Sequence, residues 1–212
     1  MDSIIDLSYP IYNGMSCYPG DPDVSIRQVR SIKKDRVNVT EISFGSHTGT
    51  HLDVPSHMLE HGKSLDKTDL SCFFGTAIKL HLNRYTEYDL SDFQYDGLIL
   101  ETGWGVHFNN PDLYFTNKRP SIPISLAQTL AETGIKFFGC DLPSVDQSGS
   151  RNKIIHCTFL EKNIVIYENL ANLDKLPEGV PFTFIGFPLG IHGIDGSPVR
   201  AVGIIKKMLM IK

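Results

Sequence analysis

Long apolar runs are missing from this 212-residue chain, and none approaches the roughly 20 residues that a membrane-spanning helix needs. Cysteine is scarce. Cys17, Cys72, Cys140 and Cys157 form no CxxC pair and no disulfide framework. Met1-Asp2-Ser3-Ile4-Ile5-Asp6 contains no apolar signal segment, so the expected compartment is the reducing cytoplasm. Strong charge of either sign is lacking as well. A net charge of −4 without a long Lys/Arg run leaves no footprint for nucleic acid. Arg27, Arg30, Lys33, Lys34 and Arg36 read as a solvated loop rather than a phosphate track. There is no GxSxG elbow, which excludes that form of serine hydrolysis, and no GxxxxGK or GxGxxG to cradle phosphate.

What remains is the composition of an ordinary soluble globular protein, 41% hydrophobic and 21% charged. The length suits one domain, residues 1–212, with a substantial core. Against that background one segment stands out: His47-Thr48-Gly49-Thr50-His51-Leu52-Asp53-Val54-Pro55-Ser56-His57. It holds three histidines and a carboxylate, the donor types that suit zinc or manganese. Gly49, Thr50 and Pro55 disfavour a helix, so an extended strand and turn is expected. In an extended chain His51 and Asp53 share a face, and His47 can reach back across a turn at Gly49. The alternative is a polar loop with surface histidines.

Short runs rich in Val, Ile, Phe and Thr predict strands at Val24–Val29, Val37–Phe44, Thr76–Leu82, Gly97–Thr102, Ile135–Cys140, Ile164–Glu168, Pro181–Phe187 and Val199–Ile205. Imperfect alternation in Val37–Phe44 leaves room for a bulge just before the histidine segment. Ser125, with Gln128 as a capping box and Gly134 as the stop, predicts a helix over Leu126–Thr133. Asn152 predicts the cap of a second helix reaching about Lys162, with Ile155, Phe159 and His156 inward. Strands outnumber helices. The expected fold is one α/β domain with a mixed sheet curled toward a barrel.

The segment HTGTHLDVPSH resembles the HxGTHxDxPxH signature of the metal-dependent cyclase-like hydrolases, a family that includes the bacterial kynurenine formamidases. Further matches follow in the family's order. Asp6-Leu7-Ser8-Tyr9-Pro10-Ile11 and Tyr18-Pro19-Gly20-Asp21-Pro22 look like its opening. Gly139-Cys140-Asp141-Leu142-Pro143-Ser144-Val145-Asp146 looks like its GxDxPSxD stretch. His156, Glu168 and the tail from Pro188 through Gly196-Ser197-Pro198-Val199-Arg200 are similar too.

The resemblance implies a swivelling β/β/α type of fold. It implies that His47, His51 and Asp53 hold one ion, that His156 and Glu168 complete a second position, and that Asp53 and Glu168 bridge. Zn2+ is the expected ion, one or two per subunit, with Mn2+ the other choice. Glu168 also has its own argument: it ends the apolar run Ile164–Tyr167, where an unpaired carboxylate entering the core is costly. A strand-end carboxylate facing water is the other reading. His156 alone reads equally as a satisfied core histidine.

By resemblance His57 is the catalytic acid/base, taking a proton from water whose pKa the ion lowers from ~15.7 toward ~7 and returning it to the leaving group. A fifth ligand is its other reading. The implied activity is hydrolysis of a small formamide or cyclic amide, N-formylkynurenine being the best named substrate. The same site could open a lactone or ester, and a metal-binding protein without turnover is the reading from a different class.

Tyr18 is the candidate substrate contact, standing where the kynurenine formamidases usually carry tryptophan. Phe44, Phe73, Phe74 and Trp104 are candidate lining. Asp141 and Asp146 read as Asx-turn residues, Ser144 as a hydrogen-bond donor behind the ligands, His192 as a surface or supporting residue, and Cys157 as a buried thiol. The expected partners are a small-molecule substrate and a second copy of the chain, with no nucleic acid and no membrane. In such a homodimer Tyr18 would come in from the partner subunit.

Overall fold

Residues 97–101, 137–140 and 165–168 are apolar at nearly every position, the mark of strands covered on both faces. In the computed structural model, which describes residues 2–206, they form the centre of a nine-stranded mixed sheet. The strands in chain order are β1 (Ser3–Asp6), β2 (Ser25–Arg30), β3 (Val39–Ser43), β4 (His51–Asp53), β5 (Phe74–His81) and β6 (Gly97–Glu101). They continue with β7 (Phe137–Cys140), β8 (Val165–Glu168), β9 (Phe182–Ile185), β10 (Gly196–Pro198) and β11 (Val202–Ile205). The helices are α1 (Ile32–Asp35), α2 (Pro111–Tyr114), α3 (Ile124–Glu132) and α4 (Ile154–Leu160). The sheet order is β1-β11-β9-β5-β6-β7-β8-β4-β10, and β2 pairs only with β3 in a separate ribbon. Neighbours from β5 to β8 are parallel, and the flanking pairs are antiparallel.

Alternation along the central strands assigns each side chain a face. Leu98, Leu100, Phe138 and Ile166 pack with Leu126 and Leu130 of α3 and with Ile155 and Phe159 of α4. Ile99, Phe137, Val165 and Tyr167 face the other way, together with Leu52, Phe182 and Phe184. Four strand steps separate β8 from β9, roughly 19 Å in a flat sheet at ~4.8 Å per step. Yet the Tyr167 and Phe184 rings meet at 4.8 Å, and the Tyr167 hydroxyl donates to the Gly186 carbonyl at 2.9 Å. The sheet is therefore curled around these aromatics, as the sequence predicts. The chain beyond β1 tightens the curl: Leu7 N–H donates to the Ala201 carbonyl, and Ala171 N–H donates to the Leu7 carbonyl.

All eight predicted strands form, with ends shifted by a few residues. β1 and β10 are too short or too polar to have announced themselves by periodicity, while β4 falls in the His47–His57 segment expected to be extended. The irregularity expected in Val37–Phe44 falls on the partner strand, where the register shifts between Gln28 and Arg30. α3 starts two residues earlier than predicted. Ser125 lies within it, and Pro123 sits at the N-cap without a side-chain cap, its carbonyl accepting from Leu126 and Ala127 N–H. α4 starts after Lys153, not Asn152, and ends at Leu160. Its first turn is capped from a distance, because the Asp146 carboxylate accepts from the backbone N–H groups of Ile155 and His156. The extreme ends of the expected domain, residue 1 and residues 207–212, lie outside the described residues.

Close approach of the curled backbone to its aromatic core restricts Gly97. A Cβ there would run into the Phe137 ring. Gly97→Ala is expected to destabilise the protein by about 1–3 kcal/mol through overpacking, read as a lower midpoint in urea unfolding with an unchanged slope.

Candidate active site

The pairing of β4 with β8 sets the site. His51 lies opposite Glu168, while Leu52 lies opposite Tyr167 and faces the core. His51 and Asp53 therefore leave the sheet on the same face as Glu168, toward α4, which contributes His156. His51, Asp53, His156 and Glu168 are all buried to 4% exposure or less. His51 Nε2 lies 3.6 Å from an oxygen of Asp53 and 3.6 Å from one of Glu168. His156 Nε2 lies 3.6 Å from Asp53 Oδ2 and 3.4 Å from Glu168 Oε1. His47, just before a turn in which Gly49 has φ +62°, approaches Asp53 Oδ1 with Nδ1 at 2.7 Å. The structure thus brings together all five residues singled out as ligands, with His57 at the edge.

Hydrogen bonds decide which nitrogen each ring presents. His51 Nδ1 faces the Gly49 carbonyl at 2.8 Å, and His156 Nδ1 faces the Asp146 carboxylate at 2.7 Å. Both partners can only accept, so Nδ1 carries a proton and Nε2 of each ring faces the carboxylates, free to carry a proton there or to give its lone pair to a cation. Asp146 is therefore more than the turn residue expected from sequence: it orients His156 and caps α4. Asp141 binds the N–H and hydroxyl of Thr102 and the Gly105 N–H, away from the cluster.

Sequence reading missed two residues. Asn169, in a left-handed conformation, donates to the Gly49 carbonyl at 2.8 Å, and its side-chain oxygen accepts from the Tyr114 hydroxyl at 2.7 Å. Asp195 accepts from Ser46 Oγ at 2.9 Å and faces His47 Nε2 at 2.9 Å and His57 Nδ1 at 3.2 Å. Its signal was its place inside the tail that carried the resemblance, immediately before Gly196.

The electrostatics follow from burial. Desolvation alone would raise the pKa of Asp53 and Glu168. For Asp53, His47 and His156 outweigh burial and hold the carboxyl well below its ordinary range. For Glu168, burial and the neighbouring Asp53 both push upward, and His156 and His51 still bring it below its usual value. Burial opposes the charge on His47 too, yet Asp53 and Asp195 raise it to about 10. Without a cation, then, protonated imidazoles balance the carboxylates. Asp53 Oδ2 nevertheless has no hydrogen-bond partner although it is buried. One donor atom each from His51, Asp53 and Glu168 lies within 4.8 Å of the others, and the same holds for His47, Asp53 and His57. An orphaned carboxylate oxygen among imidazole nitrogens fits a divalent cation, which would take the place of the protons.

The cluster opens into a cavity of about 380 Å³. Tyr18 lines the cavity of its own chain, edge-on to Phe115, with Phe108 and Met58 also on the wall. Ser144 reaches the cavity, whereas Phe44, Phe73, Phe74 and Trp104 do not line it. Phe73 is instead fully packed in the core, and the Trp104 indole donates to the Tyr114 carbonyl. The sequence offered those aromatics as lining because it cannot tell core filling from a cavity wall. Cys157 is half-buried rather than buried, its thiol facing the Asn152 carbonyl, and Cys140 is the enclosed thiol. His192 is exposed and pairs with Asp66.

A curled mixed sheet delivers histidines and two carboxylates to one buried cluster beneath a cavity, a donor set of the type that holds a divalent metal ion. Residues 5–147 match the model of the Cyclase family, and the chain belongs to that family. It is 32% identical over 206 residues to the kynurenine formamidase of Bacillus anthracis, covering 93% of this chain and 95% of that protein. Among solved structures, a potential metal-dependent hydrolase with cyclase activity superposes with a TM-score of 0.80 at 22% identity, covering 98% of this chain and all of that one. An isatin hydrolase bound to the product analogue thioisatinate superposes at 0.81 and 19% identity, covering 97% and 93%.

Because Asp146 orients His156 without reaching the cluster itself, Asp146→Asn should weaken divalent-cation binding by roughly 10- to 100-fold. Competition with a chromogenic chelator measures it, with circular dichroism confirming the fold.

Proposed function

We propose that the protein hydrolyses the carbon–nitrogen bond of a small formamide or cyclic amide, N-formylkynurenine being the foremost substrate. The observation that carries this reading is the buried carboxylate–imidazole cluster opening directly into a cavity, with His57 on the cavity wall. Similarity to a named kynurenine formamidase along nearly the whole chain supports the substrate. In this reading His47, His51, Asp53, His156 and Glu168 would hold one or two divalent ions, zinc first and manganese second. A bound divalent ion supplies polarisation of the amide carbonyl and a lowered pKa for its water.

His57 is the general acid/base. Asp195 can only accept, so His57 donates Nδ1–H to it and keeps Nε2 for the reaction. That nitrogen takes the proton of the attacking water and returns it to the departing amine, leaving formate and the free amine or, from a cyclic amide, a single ring-opened product. Tyr18 and Phe115 form the edge against which an aryl group packs.

The chain works as a homodimer in this proposal. The β2–β3 ribbon stands apart from the main sheet and exposes Val29, Val39 and Ile42, and a two-stranded ribbon alone is marginal in water. A partner subunit would cover it. The four cysteines are free, which suits the cytoplasm, and no helix among the described residues is long and apolar enough to cross a membrane.

N-formylkynurenine hydrolysis should vanish on chelation and return with added zinc or manganese. His57→Ala should lower kcat by roughly 10²–10⁴-fold while metal content stays at the wild-type value. Protein that binds metal fully yet turns over neither N-formylkynurenine, formanilide nor isatin would overturn the hydrolase reading. Sedimentation should give twice 23.7 kDa, and full activity in a 23.7 kDa species would refute the dimer.

A further inference from the structure

Between α2 and α3 the Arg119 side chain is buried to 3% exposure, and no carboxylate among the described residues pairs with it. Its Nη2 donates to the Asp146 carbonyl at 2.6 Å, a short charge-assisted bond. Its Nε and Nη1 are enclosed without any hydrogen-bond partner. A guanidinium so incompletely paired in the interior weighs on stability, and a packed apolar side chain of similar length would remove that load. What the burial secures is a single bond, to Asp146.

Asp146 is the residue whose carboxylate starts α4 and holds His156 Nδ1 at 2.7 Å. Its carbonyl and carboxylate share one short stretch of backbone, so fixing the first restricts the directions open to the second. Neighbouring contacts close the same latch from the other side. Gln147 Nε2 donates to the Arg119 and Pro120 carbonyls at 3.1 and 3.2 Å and to Ser121 Oγ at 2.8 Å. Asn117 Nδ2 donates to the Ser148 carbonyl at 3.1 Å. Those bonds tie loop to loop, but of these side chains only Arg119 reaches Asp146 itself.

We infer that Arg119 is a positioning residue: by holding the Asp146 carbonyl it sets the aim of the His156 ring into the buried cluster. It does not line the cavity and acts only through Asp146. What His156 Nε2 holds rests on the proposed cation-binding reading, whereas the aim of the ring is a property of the chain itself.

Two readouts on the full-length protein test this role. One is exchange of the His156 Nδ1 proton with water, followed by NMR of isotope-labelled histidine with and without zinc. The other is zinc affinity, measured by chelator competition. Arg119→Met is expected to speed the exchange by roughly tenfold or more and to weaken zinc binding by roughly 3- to 10-fold. Its unfolding midpoint in urea should lie at or above that of wild type, because the buried charge is gone. Arg119→Lys, which can still donate to the carbonyl, should keep most of both wild-type values. Added to Asp146→Asn, Arg119→Met should change either readout by about twofold or less, since the link is already cut. Unchanged exchange in Arg119→Met, its failure to fold, a clearly lower midpoint, or full additivity with Asp146→Asn would overturn the role. Arg119-dependent exchange in protein that binds no zinc would uphold it while the cation reading fell.

Discussion

Asp53 and Glu168 are two carboxylates buried side by side, and the rest of the site answers that constraint. Each would cost several kcal/mol if left charged and unpaired in the interior. Their mutual repulsion adds to the effect of burial at Glu168, both working against its charge. Three imidazoles compensate, one from the chain before the Gly49 turn, one from β4 and one from α4. Asp53 Oδ2 still lacks a hydrogen bond. A cluster so arranged favours positive charge, whether protons or a divalent ion, and the pocket above it gives that charge access to a ligand.

The scaffold serves this arrangement through two devices. The first is the register of β4 on β8, because a slip of one residue would turn His51 and Asp53 into the aromatic core and bring Leu52 out. The second is Asp146, which accepts hydrogen bonds from the Ile155 and His156 backbone and from the His156 ring. One carboxylate therefore starts the helix and aims its histidine. Asn169 and Tyr114 do the corresponding work on the other side, holding the Gly49 carbonyl that in turn orients His51.

The central strands were legible because their apolar runs are long enough to be periodic and are bounded by turn residues. Helix starts were not. Ser125 and Asn152 looked like caps, yet Pro123 enters α3 earlier and α4 is capped by a side chain from another loop. Among the site residues, the His47–His57 segment declared itself because donor types crowd into a short stretch. Asp195 did not, since a single aspartate in a turn has no pattern until the fold places it between His47 and His57. The cavity lining was misjudged for a similar reason. Phe73 and Phe115 look alike in sequence, and only packing makes one core and the other wall.

By itself the sequence determined the local matters: which runs are strands, that His51 and Asp53 share a face, and that the chain carries the donors for a cation. These depend on spacing along the chain and on side-chain chemistry. The tertiary structure decided everything that depends on convergence: the meeting of β4, β8 and α4 at one point, the orphaned oxygen of Asp53, the hydrogen-bonded tautomers of His51 and His156, and the link from Asp195 to His57. Pairings such as His51 with Glu168 and His57 with Asp195 join residues far apart in the chain, through a curled sheet whose aromatic core sets the distances.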